Sequence, residues 1–216
     1  MNGLLITFEG PEGSGKSTQI RVLHDALVER GYPVIVTREP GGTPLGQDIR
    51  QWLLYRPLEL DPWTELLLFL ADRAQHLREV IKPALEAGKL VLSDRFIDST
   101  VAYQSAGRGF AMEVVEKLHE LTLNGLKPDL TILLKVDPDE GLRRAKHSKD
   151  VAQKDKFESQ QLSFHQNVSA RYDSLAQRES KRFLVFDTTH DDAKTVSQIL
   201  LPIVLARIQA LKDGKI

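Results

Sequence analysis

The sequence predicts one α/β domain over residues 1–216, built on a five-stranded parallel sheet with helices on both faces. Short runs rich in valine, isoleucine and leucine alternate along the chain with longer amphipathic stretches. The short runs are almost continuously apolar, which is typical of parallel strands buried on both faces. A length of 216 residues suits one domain with a full core.

Five apolar runs are predicted to be strands, and the segments between them are predicted to be helices. The strands are Leu4–Phe8, Val34–Thr37, Leu90–Ser93, Leu130–Val136 and Phe183–Phe186. The helices are Lys16–Arg30, Leu45–Leu54, Trp63–Ala87, Ser99–Ser105, Met112–Asn124, Pro138–Lys146, Glu158–Arg178 and Asp192–Lys212. Gly31, Gly88 and Gly125 follow three of these helices, where a left-handed residue commonly ends a helix.

Composition and charge exclude several classes of function. A net charge of -1, from 29 basic and 30 acidic residues, leaves no positive excess for binding a nucleic-acid polymer. The sequence has no cysteine, which excludes disulfides, thiolate metal sites and a cysteine nucleophile. We find no basic leader, and the apolar stretches Leu66–Ala71 and Ile199–Ala206 are shorter than the ~20 residues of a membrane span. We therefore expect a soluble, cytoplasmic protein with no membrane partner.

A glycine-rich loop after the first strand predicts a bound nucleoside polyphosphate. Its residues match the pattern G-x-x-x-x-G-K-[ST] between a strand and a helix, and they are Gly10, Pro11, Glu12, Gly13, Ser14, Gly15, Lys16, Ser17 and Thr18. Backbone N–H groups of such a loop surround phosphate oxygens, and the helix dipole adds positive potential. We predict that Lys16 reaches the β- and γ-phosphates and that Ser17 is a ligand of Mg²⁺. A chance match is disfavoured because the flanking strand and helix are present.

Charged residues also follow two other predicted strands. Arg38 follows the second strand and Arg95 follows the third, so both are expected at the sheet edge that carries the phosphate loop. Either arginine alone would be read as a surface salt bridge, but the two together favour bidentate contacts with phosphate. Asp94 stands where a carboxylate binds Mg²⁺ or its waters, and it could alternatively orient Arg95.

A polar segment at about residues 147–156 separates two predicted helices. It contains Ser148, Lys149, Lys154 and Lys156 and has almost no apolar content. Most such segments are solvated loops. In a chain with a phosphate loop, we interpret the segment as a small mobile lid over the phosphates.

Four blocks of sequence, in this order, resemble the thymidylate kinase family. They are Phe8–Thr18, Thr37–Gly42, Leu68–Phe69 with Arg73 and His76, and Ser93–Gln104. The resemblance extends to Asn124–Leu130 and so covers nearly the full chain. It implies a phosphate-loop kinase fold, usually a homodimer, that transfers the γ-phosphate of ATP to dTMP with Mg²⁺ and yields dTDP and ADP. The phosphate loop here lacks arginine, as in one bacterial type of the family.

The resemblance also implies which residues bind dTMP. They are Glu12, Arg38, Arg50, Phe69, Arg73, Arg95, Ser99, Thr100, Tyr103 and Gln104. The aromatic ring at 69 stacks on thymine, although periodicity alone favours a core residue there. The Arg73 guanidinium donates to O4, and the Gln104 amide accepts from N3–H and donates to a carbonyl. Cytosine would leave these buried groups unpaired.

The sugar and the transferred phosphoryl group have their own implied contacts. The Tyr103 ring lies beside the sugar, where a 2′-hydroxyl would clash, and the Glu12 carboxylate approaches the 3′-hydroxyl. The predicted catalytic residues are Lys16, Arg95, Glu12 and Asp94. Because the acceptor phosphate is already anionic, the reaction needs positioning and charge neutralisation rather than a general base.

A transition-state cation is the remaining prediction. Family members with this type of phosphate loop carry an arginine in the lid, whereas the lid here carries lysines. The candidates are Arg143, Arg144, Lys149, Lys154 and Lys156. A lysine is a point charge without the planar fork of arginine, so the two are not equivalent.

Three alternatives to a thymidylate kinase remain open from the sequence. A kinase for another nucleotide or deoxynucleoside would share the fold and the phosphate chemistry. A regulatory phosphate-loop NTPase would need the guanine-binding pattern Asn-Lys-x-Asp, and Asn124–Asp129 has the wrong spacing. A scaffold that binds ATP without turnover has no distinguishing motif. For a homodimer, the apolar faces of Trp63–Ala87 and Met112–Asn124 are candidate surfaces, although packing on the sheet explains them equally well.

Overall fold

A single parallel sheet forms the centre of the molecule. The structure is a computed structural model that describes residues 3–147, 156–157 and 159–214. The strands are β1 (Leu4–Glu9), β2 (Val34–Arg38), β3 (Leu90–Asp94), β4 (Leu130–Lys135) and β5 (Phe183–Asp187), in the order β2-β3-β1-β4-β5. The five predicted strands are confirmed to within one residue at each end.

Helices connect the strands in the predicted order. They are α1 (Lys16–Val28), α2 (Pro44–Arg50), α3 (Pro62–His76), α4 (Lys82–Glu86), α5 (Ile97–Thr100), α6 (Met112–Leu123), α7 (Pro138–His147), α8 (Leu162–Arg178) and α9 (Ala193–Lys212). Three π-helical turns, Gln51–Tyr55, Leu77–Ile81 and Val101–Ala106, continue α2, join α3 to α4, and continue α5. The predicted start of α8 at Glu158 is wrong, because Gln160 N–H bonds to the Phe157 carbonyl in a turn and Gln161 is the N-cap of α8.

Both faces of the sheet are covered, as predicted. On one face, side chains of β1, β3 and β4 pack against Leu23 and Leu27 of α1 and Leu200 and Val204 of α9. On the other face, α4, α5, α6 and α8 complete two further buried clusters. Burial on both faces explains why the three central strands, β1, β3 and β4, are almost continuously apolar.

The strand register sets the position of the site. Asp94 of β3 lies opposite Phe8 of β1 and Arg38 of β2, so the loops after these three strands emerge side by side. This is the edge of a parallel α/β sheet at which ligands bind.

The last helix is longer than the apolar stretch predicted within it. Among the described residues, Ala193–Lys212 alone has the length and composition of a membrane span. A core helix of a soluble protein can pass the same test. In this fold its buried residues Leu200, Val204 and Ile208 belong to the core against the sheet.

Candidate active site

The phosphate loop turns sharply between β1 and α1. Gly10 and Gly13 have φ angles of 137° and 71°, which L side chains rarely adopt. A Cβ on Gly13 would also lie 2.0 Å from the Gly141 carbonyl oxygen of α7. The sequence therefore folds this way only with glycine at these positions, and the loop packs closely against α7.

Lys16 is folded onto its own loop. Its Nζ donates to the carbonyls of Gly10 and Pro11 at 3.0 and 2.8 Å, and to Ser14 Oγ at 3.4 Å. Burial and the neighbouring Arg95 charge lower the pKa of Lys16 to about 8. Phosphate oxygens are stronger acceptors than carbonyls, so a bound triphosphate would draw this ammonium group away from the loop backbone.

Ser17 and Asp94 lie together in an exposed cleft beside the loop. The Ser17 hydroxyl donates to Asp94 Oδ2 at 3.2 Å. The same cleft is lined by Arg38. In residues 3–147, 156–157 and 159–214, no three histidine, aspartate or glutamate side chains form a metal cluster. One hydroxyl and one carboxylate are oxygen ligands of the kind that would hold Mg²⁺ together with substrate phosphates.

Arg95 joins the phosphate loop to a second, buried pocket. It is a non-glycine residue with a φ of 71°, and its N–H donates to the Phe8 carbonyl at 2.9 Å. Its guanidinium donates to the Gly10 carbonyl at 3.0 Å and to Glu12 Oε1 at 2.8 Å. A strained backbone of this kind is common at functional sites.

Two side chains from outside the phosphate loop bind the Glu12 carboxylate. Tyr103 donates its hydroxyl to Glu12 at 2.7 Å, and Arg95 forms the ion pair described above. Burial by itself would raise the pKa of Glu12, but the Arg95 and Lys16 cations hold the pKa below its usual value. Glu12 is therefore an anion at neutral pH, with its charge turned toward the pocket rather than toward the loop.

The pocket is enclosed by aromatic and polar side chains from α2, α3 and the turn after α5. It is lined by Glu12, Glu39, Pro40, Arg50, Leu54, Phe69, Arg73, Arg95, Ser99, Thr100, Tyr103, Gln104 and Phe157. The Phe69 and Tyr103 rings lie 6.2 and 5.4 Å from the Phe157 ring. A concave site with aromatic walls and a few polar groups is suited to a planar heterocycle.

Arg73 is fully buried in a cage of acceptors. Its Nε donates to Glu39 at 2.6 Å, and its terminal nitrogens donate to His119 Nε2 at 2.7 Å and to the Phe96 carbonyl at 2.9 Å. Burial and the Arg73 charge lower the pKa of His119 to about 2, so its neutral ring accepts. A guanidinium has five N–H groups, so two remain available to a ligand in the pocket that Arg73 lines.

Gln104 is also buried, and only one end of its amide is paired. Its Nε2 donates to Glu65 Oε1 at 2.8 Å. Its Oε1 has no hydrogen-bond partner in the part of the chain that the structure describes. A buried acceptor without a partner is costly, which makes this oxygen a candidate contact for a ligand N–H.

The structure brings most predicted acceptor residues together but separates one of them. Arg50 lines the pocket and donates to the Pro40 carbonyl at 2.9 Å, and Thr100 lines it as well. The Ser99 hydroxyl is engaged by Glu9, by Arg95 at 3.1 Å and by Tyr172 at 2.8 Å. Arg38 lies in the adjoining cleft with Ser17 instead.

The candidate lid cations are dispersed. Arg144 is bound to Glu140 and to the carbonyls of Thr188 and Thr189, at 2.7 to 2.9 Å, in a cleft beside Gly13–Gly15. The neighbouring Arg143 is exposed and pairs with Glu140. By contrast, Lys156 donates to the Leu58 carbonyl at 2.6 Å, on the far side of α2. The other two candidates, Lys149 and Lys154, and most of the lid at 147–156 lie outside the described residues.

Several residues of the site were missed by sequence reasoning. Phe157 follows the polar segment directly and forms one wall of the pocket. Glu9 accepts from Ser99, from Phe96 N–H at 2.8 Å and from Tyr172 at 3.1 Å. Burial, reinforced by Asp98, raises the pKa of Glu9 to about 7. No local pattern marks a buried carboxylate at a strand end, because its partners come from distant segments.

Comparisons with known proteins identify the family of the chain. Residues 8–199 match the thymidylate kinase family model. Curated thymidylate kinases of Halothermothrix orenii and Deinococcus radiodurans are 50% and 46% identical to this chain, covering 87% and 91% of it and 89% and 94% of their own lengths. The crystal structure of thymidylate kinase from Ehrlichia chaffeensis superposes with a TM-score of 0.77 at 33% identity, covering 94% of this chain and 98% of that one. The chain therefore belongs to the thymidylate kinase family.

Proposed function

We propose that this chain transfers the γ-phosphoryl group of ATP to dTMP, giving dTDP and ADP. One observation carries the proposal: the phosphate loop and the enclosed aromatic pocket meet at Arg95, which contacts the Gly10 carbonyl and Glu12 of the same loop. Two substrates bound in these places would present their phosphates to each other. That arrangement supplies the positioning on which phosphoryl transfer depends.

The donor nucleotide is assigned to the loop and the cleft beside it. The triphosphate would lie against residues 10–18, with Lys16 released from the loop carbonyls. Arg144, Thr188 and Thr189 line the cleft on the other side of Gly13–Gly15, where the nucleoside of ATP would lie. The N-terminus of α1 adds its dipole to the binding of the phosphates.

The acceptor is assigned to the enclosed pocket. We propose that Phe69 stacks on thymine, that the free N–H groups of Arg73 donate to O4, and that Gln104 Oε1 accepts from N3–H. Tyr103 would lie beside C2′ and Glu12 would accept from the 3′-hydroxyl. The acceptor phosphate would be bound by pocket residues, namely Arg50, Arg95, Ser99 and Thr100. Arg38 would reach the same phosphate from the adjoining cleft.

Chemically, an oxygen of the dTMP phosphate attacks the γ-phosphorus of ATP. One O–P bond forms, the bond to the bridging β,γ-oxygen breaks, and ADP leaves with that electron pair. Arg95 and Lys16 neutralise charge on the two substrates. We propose that Ser17 and Asp94 would hold Mg²⁺, which would supply positive charge that stabilises the charge developing on the phosphates.

The transition-state cation is proposed to come from the lid or its flank. Single alanine substitutions at Arg143, Arg144, Lys149, Lys154 and Lys156 test this proposal. Loss of the true donor should lower kcat far more than it raises the KM for ATP. If all five variants keep kcat, the lid does not supply the cation.

We also propose the domain organisation, cellular location, partners and oligomeric state of the protein. One domain spans residues 1–216, in the cytoplasm, where ATP is the phosphate donor, and neither a membrane nor a nucleic-acid polymer is a partner. Half-exposed apolar side chains on α3 and α6, including Trp63, Leu67 and Leu121, support a homodimer formed through these helices. Light scattering after gel filtration should give a mass near twice 24.3 kDa.

A panel assay tests the function itself. ADP formation from ATP is measured with each nucleoside monophosphate in turn, with Mg²⁺ and with the metal chelated. We expect turnover with dTMP far above that with dCMP, dAMP or dGMP, and none after chelation. Hydrolysis that is independent of any monophosphate would instead indicate a regulatory NTPase.

A further inference from the structure

A buried carboxylate behind the pocket fixes the orientation of Gln104. Gln104 Nε2 donates to Glu65 Oε1 at 2.8 Å. Arg108 donates to both oxygens of Glu65, each at 2.9 Å. The Glu65 side chain is 5% exposed and Gln104 is fully buried. The amide is therefore held by an ion pair that is itself largely removed from water.

This arrangement permits only one orientation of the amide. An ionised carboxylate accepts hydrogen bonds and cannot donate them. If the amide reversed, its Oε1 would face Glu65 Oε1 with no hydrogen between them, which is unfavourable at such a short distance and in a buried place. The nitrogen of Gln104 must point toward Glu65, and the oxygen must point away from it.

The oxygen is left as the acceptor for a ligand. Gln104 lines the acceptor pocket, and its Oε1 is buried without a partner in residues 3–147, 156–157 and 159–214. Neither Glu65 nor Arg108 lines that pocket. Arg108 instead lies over the Phe157 and Phe164 rings, at 5.7 and 6.0 Å, and closes the back of the cluster.

We propose that Glu65, held by Arg108, is the positioning residue that makes this pocket select a base with an N3–H group. The inference rests on the proposed function and adds to it the origin of base selectivity. Thymine carries a proton on N3 and donates it to Gln104 Oε1. Cytosine presents an unprotonated N3, so two acceptors would face each other in the buried pocket and the base is rejected.

Glu65→Gln is the direct test. The new amide can still accept from Arg108, and its NH₂ group can donate to Gln104 Oε1, which allows Gln104 to reverse. We expect the ratio of kcat/KM for dTMP to that for dCMP to fall at least ~10-fold, mainly through KM. The ratio for dTMP to dUMP should change less than ~2-fold, because both bases carry N3–H.

Arg108→Lys is the matched control. It disturbs the same cluster and keeps a cation beside Glu65, so the acceptor character of the carboxylate is unchanged. We expect its dTMP to dCMP ratio to stay within ~2-fold of the wild-type ratio, even if the melting temperature falls. A folded Glu65→Gln variant with an unchanged dCMP ratio overturns the proposal. The proposal is also overturned if the dTMP to dCMP ratio and the dTMP to dUMP ratio fall equally in Glu65→Gln and in Arg108→Lys. That result would indicate that both substitutions loosen the pocket in general.

A double variant tests the same proposal if Glu65→Gln alone does not fold. Glu65→Gln with Arg108→Gln removes both charges together, so no buried charge is left unpaired. It should show the same loss of selectivity against dCMP as the single variant, and an unchanged ratio in it also overturns the proposal. The wild-type protein is assayed first: lack of turnover with dTMP refutes the proposed function, whereas turnover with dTMP and unchanged ratios in the variants refutes only the role of Glu65.

Discussion

The acceptor pocket and the phosphate loop differ in how firmly other segments of the protein hold their side chains. In the pocket, Arg73 and Gln104 are buried and Glu12 is partly buried, and each is held by partners from other segments. At the loop, Ser17 is exposed, Lys16 bonds to the backbone of its own loop, and Arg38 is exposed in the open cleft. The pocket is fixed by contacts between distant segments, whereas Lys16 is held within its own loop and the adjoining cleft is open.

This difference has a chemical reason. A base is recognised by a few directed hydrogen bonds, which discriminate well only if the protein groups are already fixed and would be left unpaired by the wrong base. A triphosphate is recognised by charge and by backbone N–H groups, which can rearrange around any nucleoside. Selectivity is therefore expected from the acceptor side, and rate from the donor side.

Replacing Lys16 should cause the largest loss of activity. The loss should appear in kcat and not in the affinity for dTMP. Lys16→Met removes the ammonium group that we propose neutralises the transferred phosphoryl group, and we expect kcat to fall by at least ~10²- to 10³-fold. The affinity for dTMP, measured by calorimetry, should change little because Arg95 still pairs with Glu12. Lys82→Met, at an exposed lysine on α4, is the control and should keep full activity. Equal losses of kcat and dTMP affinity in Lys16→Met would mean that the two halves are not separable.

The same division decides what could be predicted from the sequence. The phosphate loop, the strand ends at Asp94 and Arg95, and the five strands were all predicted, because each depends on a contiguous pattern. The partners of Glu9, Arg73 and Gln104 were not predicted, because Tyr172, His119 and Glu65 come from distant helices. The start of α8 was misplaced for a local reason, since nothing in residues 157–161 signals that a turn precedes the helix. A pattern along the chain predicts contacts within a segment but not between segments.

Stability at the acceptor side should depend on pH through Glu9. The pKa of Glu9 is about 7 in the folded protein and near 4.5 when exposed. Between these values the folded state keeps a proton that the unfolded chain has released, so the free energy of unfolding falls as pH rises, by up to about 3 kcal/mol from this group. Its stabilising effect is fully present below pH 4.5 and is lost as pH passes through 7.

Glu9→Gln isolates this contribution. The amide stays neutral at every pH, so the variant should lack the decline attributed to Glu9. Urea denaturation of both proteins at pH 5 and pH 8 measures the difference, which should favour the variant at pH 8 relative to pH 5. Parallel curves for the two proteins would show that the Glu9 proton is not linked to folding.

Phe69→Ala should weaken the binding of dTMP and leave the binding of ATP unchanged. Stacking of a base on an aromatic ring contributes about 1–3 kcal/mol, so the KM for dTMP should rise roughly 5- to 150-fold. The KM for ATP should remain within about twofold of the wild-type value, because Phe69 lines the acceptor pocket and neither cleft beside the phosphate loop. Initial rates at varied dTMP and varied ATP separate the two constants. A rise in the KM for ATP of the same size would place the ring in a shared structural role.

Tyr103 provides the finest test, because its ring and its hydroxyl have separate roles in the pocket. The hydroxyl donates to Glu12, and the ring packs against Phe157 and Tyr172. Tyr103→Phe removes only the hydroxyl, so the kcat/KM ratio of dTMP to its ribose analogue should change less than about twofold. In Tyr103→Leu the ring is lost, and the ratio should narrow by about tenfold because the smaller side chain leaves room for a 2′-hydroxyl. An unchanged ratio in Tyr103→Leu would remove the ring from sugar selection. If the preference for dTMP over its ribose analogue is lost in Tyr103→Phe, the hydroxyl and not the ring selects the sugar. Because that hydroxyl donates to Glu12, the sugar selectivity of the pocket would then depend on the phosphate loop.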